Sequence, residues 1–111
     1  MGWDGDAMAL RWPGSRTSES LVRSNARFRQ SAEVSSATHG DRTVLLDLRS
    51  EQFFSLDDVG HRIWELVGRE ASVDEMVAEL VAVYDAPEAK IRTDVELFVA
   101  TLVRDRLAVE A

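Results

Sequence analysis

The stretch that decides the fold is Gln52-Phe53-Phe54-Ser55-Leu56, five residues without a charge. The run before it, residues 43–48, predicts a partner strand, and Arg49-Ser50-Glu51 predicts the turn between the two. Asp57 follows at once and can cap a helix, because its carboxylate can accept hydrogen bonds from the free amides of a first helical turn. The sequence therefore predicts a β-hairpin that leads directly into a helical half.

A first strand is predicted before this hairpin. From Arg27 onward, mostly apolar residues alternate with more polar residues, which is the pattern of a half-buried strand. The mostly apolar side holds Phe28, Gln30, Ala32 and Val34. We expect residues 35–41, which are rich in Ser, Thr, Gly and Asp, to form a loop.

The simplest arrangement of three such strands is an antiparallel meander with the first and third strands at its edges. The second strand places on one face Val44, Leu46 and Leu48. The third strand places Phe54 and Leu56 on one face, and Phe53 and Ser55 on the other. The first strand carries charges that discourage pairing with another chain, whereas the third carries none. We therefore expect the third strand to present the open edge of the sheet.

Three helices are predicted after the sheet. The first ends at Gly68, the second begins with the capping box Ser72-Val73-Asp74-Glu75, and the third begins near Pro87. Their apolar residues recur at helical spacing. The three stripes are Val59, Ile63, Trp64, Leu66 and Val67; Val73, Met76, Val77, Leu80, Val81 and Tyr84; and Ile91, Val95, Phe98, Val99, Leu102 and Val103. Three strands followed by three helices predict an α+β winged helix-turn-helix fold.

The composition limits the class of protein. A chain of 111 residues, 45% of them hydrophobic, is long enough for one domain with a modest core. It contains no cysteine, which excludes disulfides and thiolate metal sites. No apolar run approaches the roughly 20 residues of a membrane span, and the N-terminus lacks the pattern of a signal peptide. We expect a cytoplasmic protein without a membrane partner.

The charge is unevenly distributed along the chain. Residues 1–39 carry five arginines against four acids, whereas residues 40–111 carry eight basic and sixteen acidic side chains. A domain this acidic repels phosphate backbones at long range. Nucleic acid is therefore not an expected partner.

Residues 1–25 contain several Gly and Ser residues and no sustained period, and we expect them to form a flexible N-terminal tail before a folded domain at 26–111. Met8 is a second possible start. Trp3 and Trp12 are unusual in such a tail. They are either isolated apolar residues or a segment lying on the domain surface, or they belong to a docking peptide for a partner.

The sequence offers little for catalysis. His39 and His61 stand apart from any spacing typical of metal ligands, no Gly-rich phosphate loop is present, and no Ser lies in a nucleophile-elbow context. Acidic pairs such as Asp57-Asp58 stand at predicted helix starts, where the helix dipole favours negative charge. We expect neither a catalytic residue nor a cofactor nor a metal, and interpret the protein as a non-enzyme.

An extended peptide added to the third strand is the binding mode that an open edge favours. Phe53 either contacts that peptide or packs beneath the N-terminal tail. One flank of the last helix would wall the groove, although a solvated flank is the alternative for each of its residues. The candidate peptide-binding residues are Gln52, Phe53, Phe54, Ser55, Arg92, Val95, Glu96, Val99 and Val103.

Over residues 27–107 the sequence resembles the PqqD-like family of peptide-recognition elements, and most closely the small B1 proteins of lasso-peptide biosynthesis. The matching pieces are Val44-Leu45-Leu46-Asp47, the stretch 52–56, Gly60-His61-Arg62-Ile63-Trp64, Val77-Ala78-Glu79-Leu80, Tyr84-Asp85, Arg92-Thr93-Asp94-Val95, Phe98 and Leu102. The resemblance implies a leader-peptide site between the third strand and the third helix, and delivery of a precursor peptide to a leader peptidase and a cyclase.

Two other functions remain open at this level. A winged-helix DNA-binding regulator shares the fold, but the second helix carries acids and no Lys or Arg, and the third offers only Lys90 and Arg92 near its start. A similar module could instead serve a radical enzyme of another peptide-modification system.

Overall fold

The computed structural model describes residues 25–40 and 42–111, so the tail predicted over residues 1–25 lies outside the described part except for its last residue. The strands are β1 (Phe28–Gln30), β2 (Val34–His39), β3 (Arg42–Asp47), β4 (Gln52–Leu56) and β5 (Ala108–Glu110). The helices are α1 (Asp58–Gly68), α2 (Val73–Val83) and α3 (Glu88–Arg104). Among the described residues, no helix is long and apolar enough to cross a membrane.

The main sheet has three antiparallel strands in the order β2-β3-β4. Leu45 lies opposite Phe54 in the β3–β4 hairpin and opposite Ser36 in the β2–β3 hairpin. The predicted three-stranded meander followed by three helices is therefore confirmed. Within the described residues β4 pairs with β3 alone, which places it at the edge of the sheet.

The position of the first strand was predicted wrongly. Its expected residues are divided by a turn in which the Val34 amide donates to the Ser31 carbonyl, so that β1 ends at Gln30. Residues 34–39, most of which were assigned to a loop, form β2. Because nearly all of β2 is exposed, it shows no alternation of buried and polar side chains that would mark it as a strand.

β1 belongs to a second, two-stranded sheet, in which it pairs with β5 near the C-terminal end. The Ala111 amide also donates to the Arg27 carbonyl at 2.9 Å. Phe28 packs in the hydrophobic core, and Gln30 donates from its side chain to the Trp64 carbonyl of α1 at 2.9 Å. β5 was not predicted from the sequence.

The two faces of the main sheet differ in an unexpected way. Thr43, Leu45 and Asp47 of β3 are buried, whereas Val44 and Leu48 on the opposite face are 42% and 54% exposed. The more apolar row of β3 thus faces outward, away from the core. β4 follows its predicted pattern, with Phe54 and Leu56 buried and Phe53 exposed.

The helix termini follow the predicted capping chemistry. The Asp57 carboxylate accepts the Gly60 amide at 3.0 Å, and Ser72 and Glu75 form a reciprocal capping box at the start of α2. α1 ends at Gly68 as predicted, although the left-handed backbone conformation falls on Glu70. Most predicted helix stripes are buried, but Val81 and Val103 are exposed.

Gly60 allows α1, β4 and α3 to approach one another closely. A Cβ atom at this position would lie 3.2 Å from the Leu56 Cβ and 3.4 Å from the Phe98 Cζ. Both of these neighbours are buried, so neither can move far without disturbing the core. Gly60 therefore fixes how closely the C-terminal end of β4 sits against α3.

We predict that Gly60→Val lowers the free energy of unfolding by about 1–3 kcal/mol, because its methyl groups overpack the space beside Leu56. The measurement is urea denaturation. Ala78→Val, at an exposed position of α2, is the matched control and should cost only the few tenths of a kcal/mol of reduced helix propensity. Equal losses for the two variants would contradict the close approach at Gly60.

Candidate open-edge site

The hydrogen-bond alternation of the sheet decides which groups of β4 are available. In an antiparallel ladder each residue of a central strand points its amide and carbonyl to one neighbour only, and successive residues alternate. The Leu48 amide donates to the Glu33 carbonyl at 2.9 Å, so Leu48 is directed to the β2 side. Residues 43, 45 and 47 of β3 are therefore directed to β4.

The register then shows which backbone groups of β4 bond to β3. Phe54 and Leu56 lie opposite Leu45 and Thr43, so their amides and carbonyls bond to β3. Phe53 and Ser55 point their amides and carbonyls away from β3, to the free edge. The backbone groups of Gln52 and Phe54, which were predicted to pair with a peptide, instead form hydrogen bonds to β3.

The side chains of β4 divide in the same way. Phe54 is buried beneath the sheet, whereas Phe53 lies on the outer face and is 64% exposed. Its neighbours across the hairpin are Leu46, directly opposite, and Val44, opposite Ser55. Phe53 therefore belongs to an apolar strip on the outer face, while its backbone belongs to the edge.

Two contacts place α3 beside β4. At one end, Phe98 approaches Gly60 and Leu56, at the last residue of β4. At the other, the Arg49 guanidinium, in the turn before β4, donates to the Arg106 carbonyl just beyond α3 at 2.6 Å. The C-terminal half of α3 consequently runs antiparallel to β4. The edge of β4 that does not pair with β3 lies between these two contacts.

Three of the residues predicted on α3 have defined surroundings in the structure. Val95 and Val99 are fully buried, so they support the helix from within the core and offer no surface to a peptide. Arg92 forms an ion pair with Asp74 of α2 at 2.9 Å, which directs its flank of the helix to α2. The hydrogen bond to Asp74, together with the negative charges of Asp74 and Glu88, raises the pKa of the Arg92 guanidinium.

Helical spacing identifies the flank on the other side of Phe98. Residues three and four apart share a face, so Asp94, Leu97 and Thr101 lie together on the side of Phe98 that faces away from Arg92. Leu97 is half-buried, and the other two are buried. Glu96 and Val103, also predicted, lie on the side of Arg92. This flank was not among the predicted residues, because the prediction followed the apolar residues next to the core stripe.

An ionic link holds the β3–β4 turn in place. The Asp47 carboxylate accepts the Arg49 backbone amide at 2.9 Å and the Arg49 Nε at 3.1 Å. Hydrogen bonding from Arg49 lowers the pKa of Asp47 below its ordinary value of 3.8. The same arginine contacts the Arg106 carbonyl, so this link joins the start of β4 to the end of α3.

Neither histidine lies in a site suited to metal binding. The His61 Nδ1 lies 2.6 Å from the Thr43 hydroxyl, and its Nε2 lies 3.3 Å from Glu65. These contacts place His61 between α1 and β3. His39 is exposed at the end of β2, although it was predicted in a loop. No group of three potential metal ligands occurs among residues 25–40 and 42–111.

The described residues together define a class: a small winged helix-turn-helix domain in which the last strand of the main sheet pairs on one side only and lies near the last helix. Residues 42–108 match the sequence profile of the family described as coenzyme PQQ synthesis protein D, PqqD. The chain belongs to this family.

Two solved structures share the fold. One, described as TbiB1 in complex with the TbiA(beta) leader peptide, is 32% identical, with a TM-score of 0.69, over 72% of this chain and 93% of that one. The other, a lasso peptide synthetase B1 complexed with the leader peptide, is 26% identical, with a TM-score of 0.68, over 74% and 96% of the two chains. No curated protein sequence matches the chain.

We predict that Asp47→Asn lowers the free energy of unfolding by about 1–3 kcal/mol at neutral pH, because it removes the charged acceptor of Arg49. The pKa of Asp47 is lowered by folding, so its contribution is present above pH 3.8 and is lost as the pH falls through the folded-state pKa. Urea denaturation of both proteins should show the difference shrinking over that acid range.

Glu51→Gln in the same turn is the control for this prediction, because Glu51 is exposed. It should change the free energy of unfolding by no more than about 0.5 kcal/mol. A difference between the wild type and Asp47→Asn that stayed constant through the acid range would show that the carboxylate charge is not the source of the stabilisation.

Proposed function

We propose that this protein recognises the leader segment of a ribosomally made precursor peptide by strand addition to β4. The outward amides and carbonyls of Phe53 and Ser55, on an uncharged edge strand beside α3, are the observation that carries this proposal. Two leader-peptide complexes share the fold and support it. Backbone pairing provides affinity for any extended segment, so selectivity must come from side chains.

Alternate residues of the bound segment would supply that selectivity. Those opposite Phe54 and Leu56 face the same side of the sheet as these two residues, and so face α3. Leu97, the half-buried residue on the flank of α3 beside Phe98, would contact them. The chemistry of the flank favours apolar or small neutral side chains at every second position of the leader.

We further propose that the protein delivers the bound precursor to maturation enzymes. In a lasso-peptide pathway these enzymes are a leader peptidase and a cyclase. The outer face of the sheet supports it, because Val44, Leu48 and Phe53 form an exposed apolar surface of a kind that marks protein contacts. A leader on the edge of β4 would leave this face accessible to a second protein. The protein would act as a non-catalytic adaptor in the cytoplasm.

The structure gives no support to the DNA-binding alternative. α2 presents Asp74, Glu75 and Glu79 on its exposed positions, and none of its residues is basic. Arg92 at the start of α3 is already paired with Asp74. Phosphate binding would have to overcome this negative surface.

We predict that Ser55→Pro abolishes leader binding while the protein stays folded. The outward amide at position 55 forms no bond to β3, so proline removes a group needed only by an added strand. Isothermal titration with the leader of a precursor encoded beside this gene measures the effect, with at least a tenfold loss of affinity expected.

Ser36→Pro is the matched control. Ser36 is also an exposed serine on an edge strand, and the same alternation points its amide to the free side of β2. It should leave leader affinity unchanged. Equal affinities for the two proline variants would argue against strand addition at β4.

The flank of α3 can be tested separately. We predict that Leu97→Ala weakens leader binding about threefold to thirtyfold, as expected for the loss of a partly buried apolar contact. Val103→Ala, on the flank beside Arg92, should leave affinity unchanged. The reverse pattern would show that the leader lies on the flank of Arg92, Glu96 and Val103.

A further inference from the structure

The side chain of Phe53 lies beside the edge of β4 that does not pair with β3. Its backbone groups point to that edge, and its ring is exposed on the outer face of the sheet. Leu46 lies directly opposite on β3, so the other side of Phe53 borders the place of an added strand. Within β4 the second outward residue is Ser55, which leaves Phe53 as the large apolar group along this border.

The geometry of an antiparallel ladder decides which leader residue would meet this ring. Residues directly opposite each other share a face of the sheet, with their Cβ atoms about 5 Å apart. The leader residue opposite Phe53 would exchange both ladder hydrogen bonds with it, and would point its side chain to the outer face. The residues on either side of it in the leader would point to the opposite face, towards α3.

The exposure of Phe53 makes this leader position selective. Phe53 is more exposed than Val44 and Leu48 on the same face of the sheet. An apolar side chain beside it would remove apolar surface of both residues from water, and aromatic cross-strand pairs are among the favourable ones. A charged side chain would instead lose part of its hydration against the ring. The position opposite Ser55 carries no such preference.

We propose that Phe53 is a specificity-determining residue, whose side chain selects an apolar residue at the leader position directly opposite it. This inference rests on the proposed function, because it adds a second contact face to the same bound strand. Leu97 contacts residues of the leader that face α3, whereas Phe53 contacts one that faces outward. Because side chains alternate along a strand, the leader positions that depend on Phe53 and on Leu97 lie an odd number of residues apart.

An alanine scan of the leader encoded beside this gene tests this spacing by isothermal titration. Phe53→Ala should weaken binding of the unchanged leader about twofold to tenfold. Alanine at one leader position should weaken binding to the wild type by a similar factor but have no effect on binding to Phe53→Ala. The leader position that loses its effect in Leu97→Ala should lie an odd number of residues away.

Leu48→Ala is the matched control. Leu48 is also an exposed leucine-sized apolar residue of the outer face, but it follows β3 and its amide bonds to the β2 side. This variant should leave leader affinity unchanged. Equal losses for Phe53→Ala and Leu48→Ala would overturn the inference, because the effect would then belong to the whole outer face. Thermal melting confirms that each variant is folded.

A change of charge tests the same contact with the opposite preference. Phe53→Lys should bind a leader with glutamate at the Phe53-dependent position about threefold more tightly than the wild type does, because opposite charges across a ladder attract. Glutamate one residue further along the leader would face α3 and should bring no such gain. Equal gains at the two positions would overturn the inference.

The outcomes distinguish this inference from the proposed function. A leader that loses its affinity with Ser55→Pro but has no position dependent on Phe53 would overturn the inference and keep strand addition. Dependent positions an even number of residues apart would do the same, because Phe53 and Leu97 would then contact one face of the leader. A leader that binds the wild type and Ser55→Pro equally, or binds neither, would overturn the proposed function and the inference with it.

Discussion

The alternation of hydrogen bonds along β3 is the constraint on which the site depends. As the central strand, β3 divides its backbone groups between two neighbours, and the bond from Leu48 to Glu33 fixes which residues serve which side. Phe53 and Ser55 are thereby left with outward groups. The same division buries Leu45 and Phe54 and exposes Phe53, so one register sets both the core and the edge.

The edge of a sheet can select among peptides only when a neighbouring element, here α3, lies at a fixed distance from it. Two contacts set that distance here, one at each end of β4. Gly60 admits Phe98 close to Leu56, and the Asp47–Arg49 pair reaches the carbonyl of Arg106. Gly60, Asp47 and Arg49, which set these contacts, are not among the residues proposed to touch the peptide. Under the proposed function, changes at these positions alter leader selection through the distance between β4 and α3.

Much of this arrangement could be predicted from the sequence, because its elements carry strong local signals. The Ser72 capping box, the helical stripes and the uncharged strand at 52–56 all have such signals, and the family resemblance pointed to the same elements. The predicted edge strand is confirmed as the edge of the described sheet. β2 and β5 were missed because an exposed strand and a three-residue strand gain their stability from partners far away in the chain.

The α3 residues were harder to assign, since the choice between two flanks depends on tertiary contacts. Sequence spacing gave the core stripe correctly but could not show that Arg92 pairs with Asp74. Val95 and Val99 were counted with the groove for the same reason, although they lie in the core. Which element a helix flank contacts depends on how the helices cross, and the sequence of one helix does not determine that crossing.

The pairing of β1 with β5 has a consequence for how such a module can be carried by other proteins. Arg27 and Ala111 are hydrogen-bonded neighbours, so the two ends of the described fold lie side by side. A domain with adjoining entry and exit points can be inserted into a loop of a host enzyme without stretching that loop. The described fold therefore meets the geometric requirement for insertion into a larger protein as one domain.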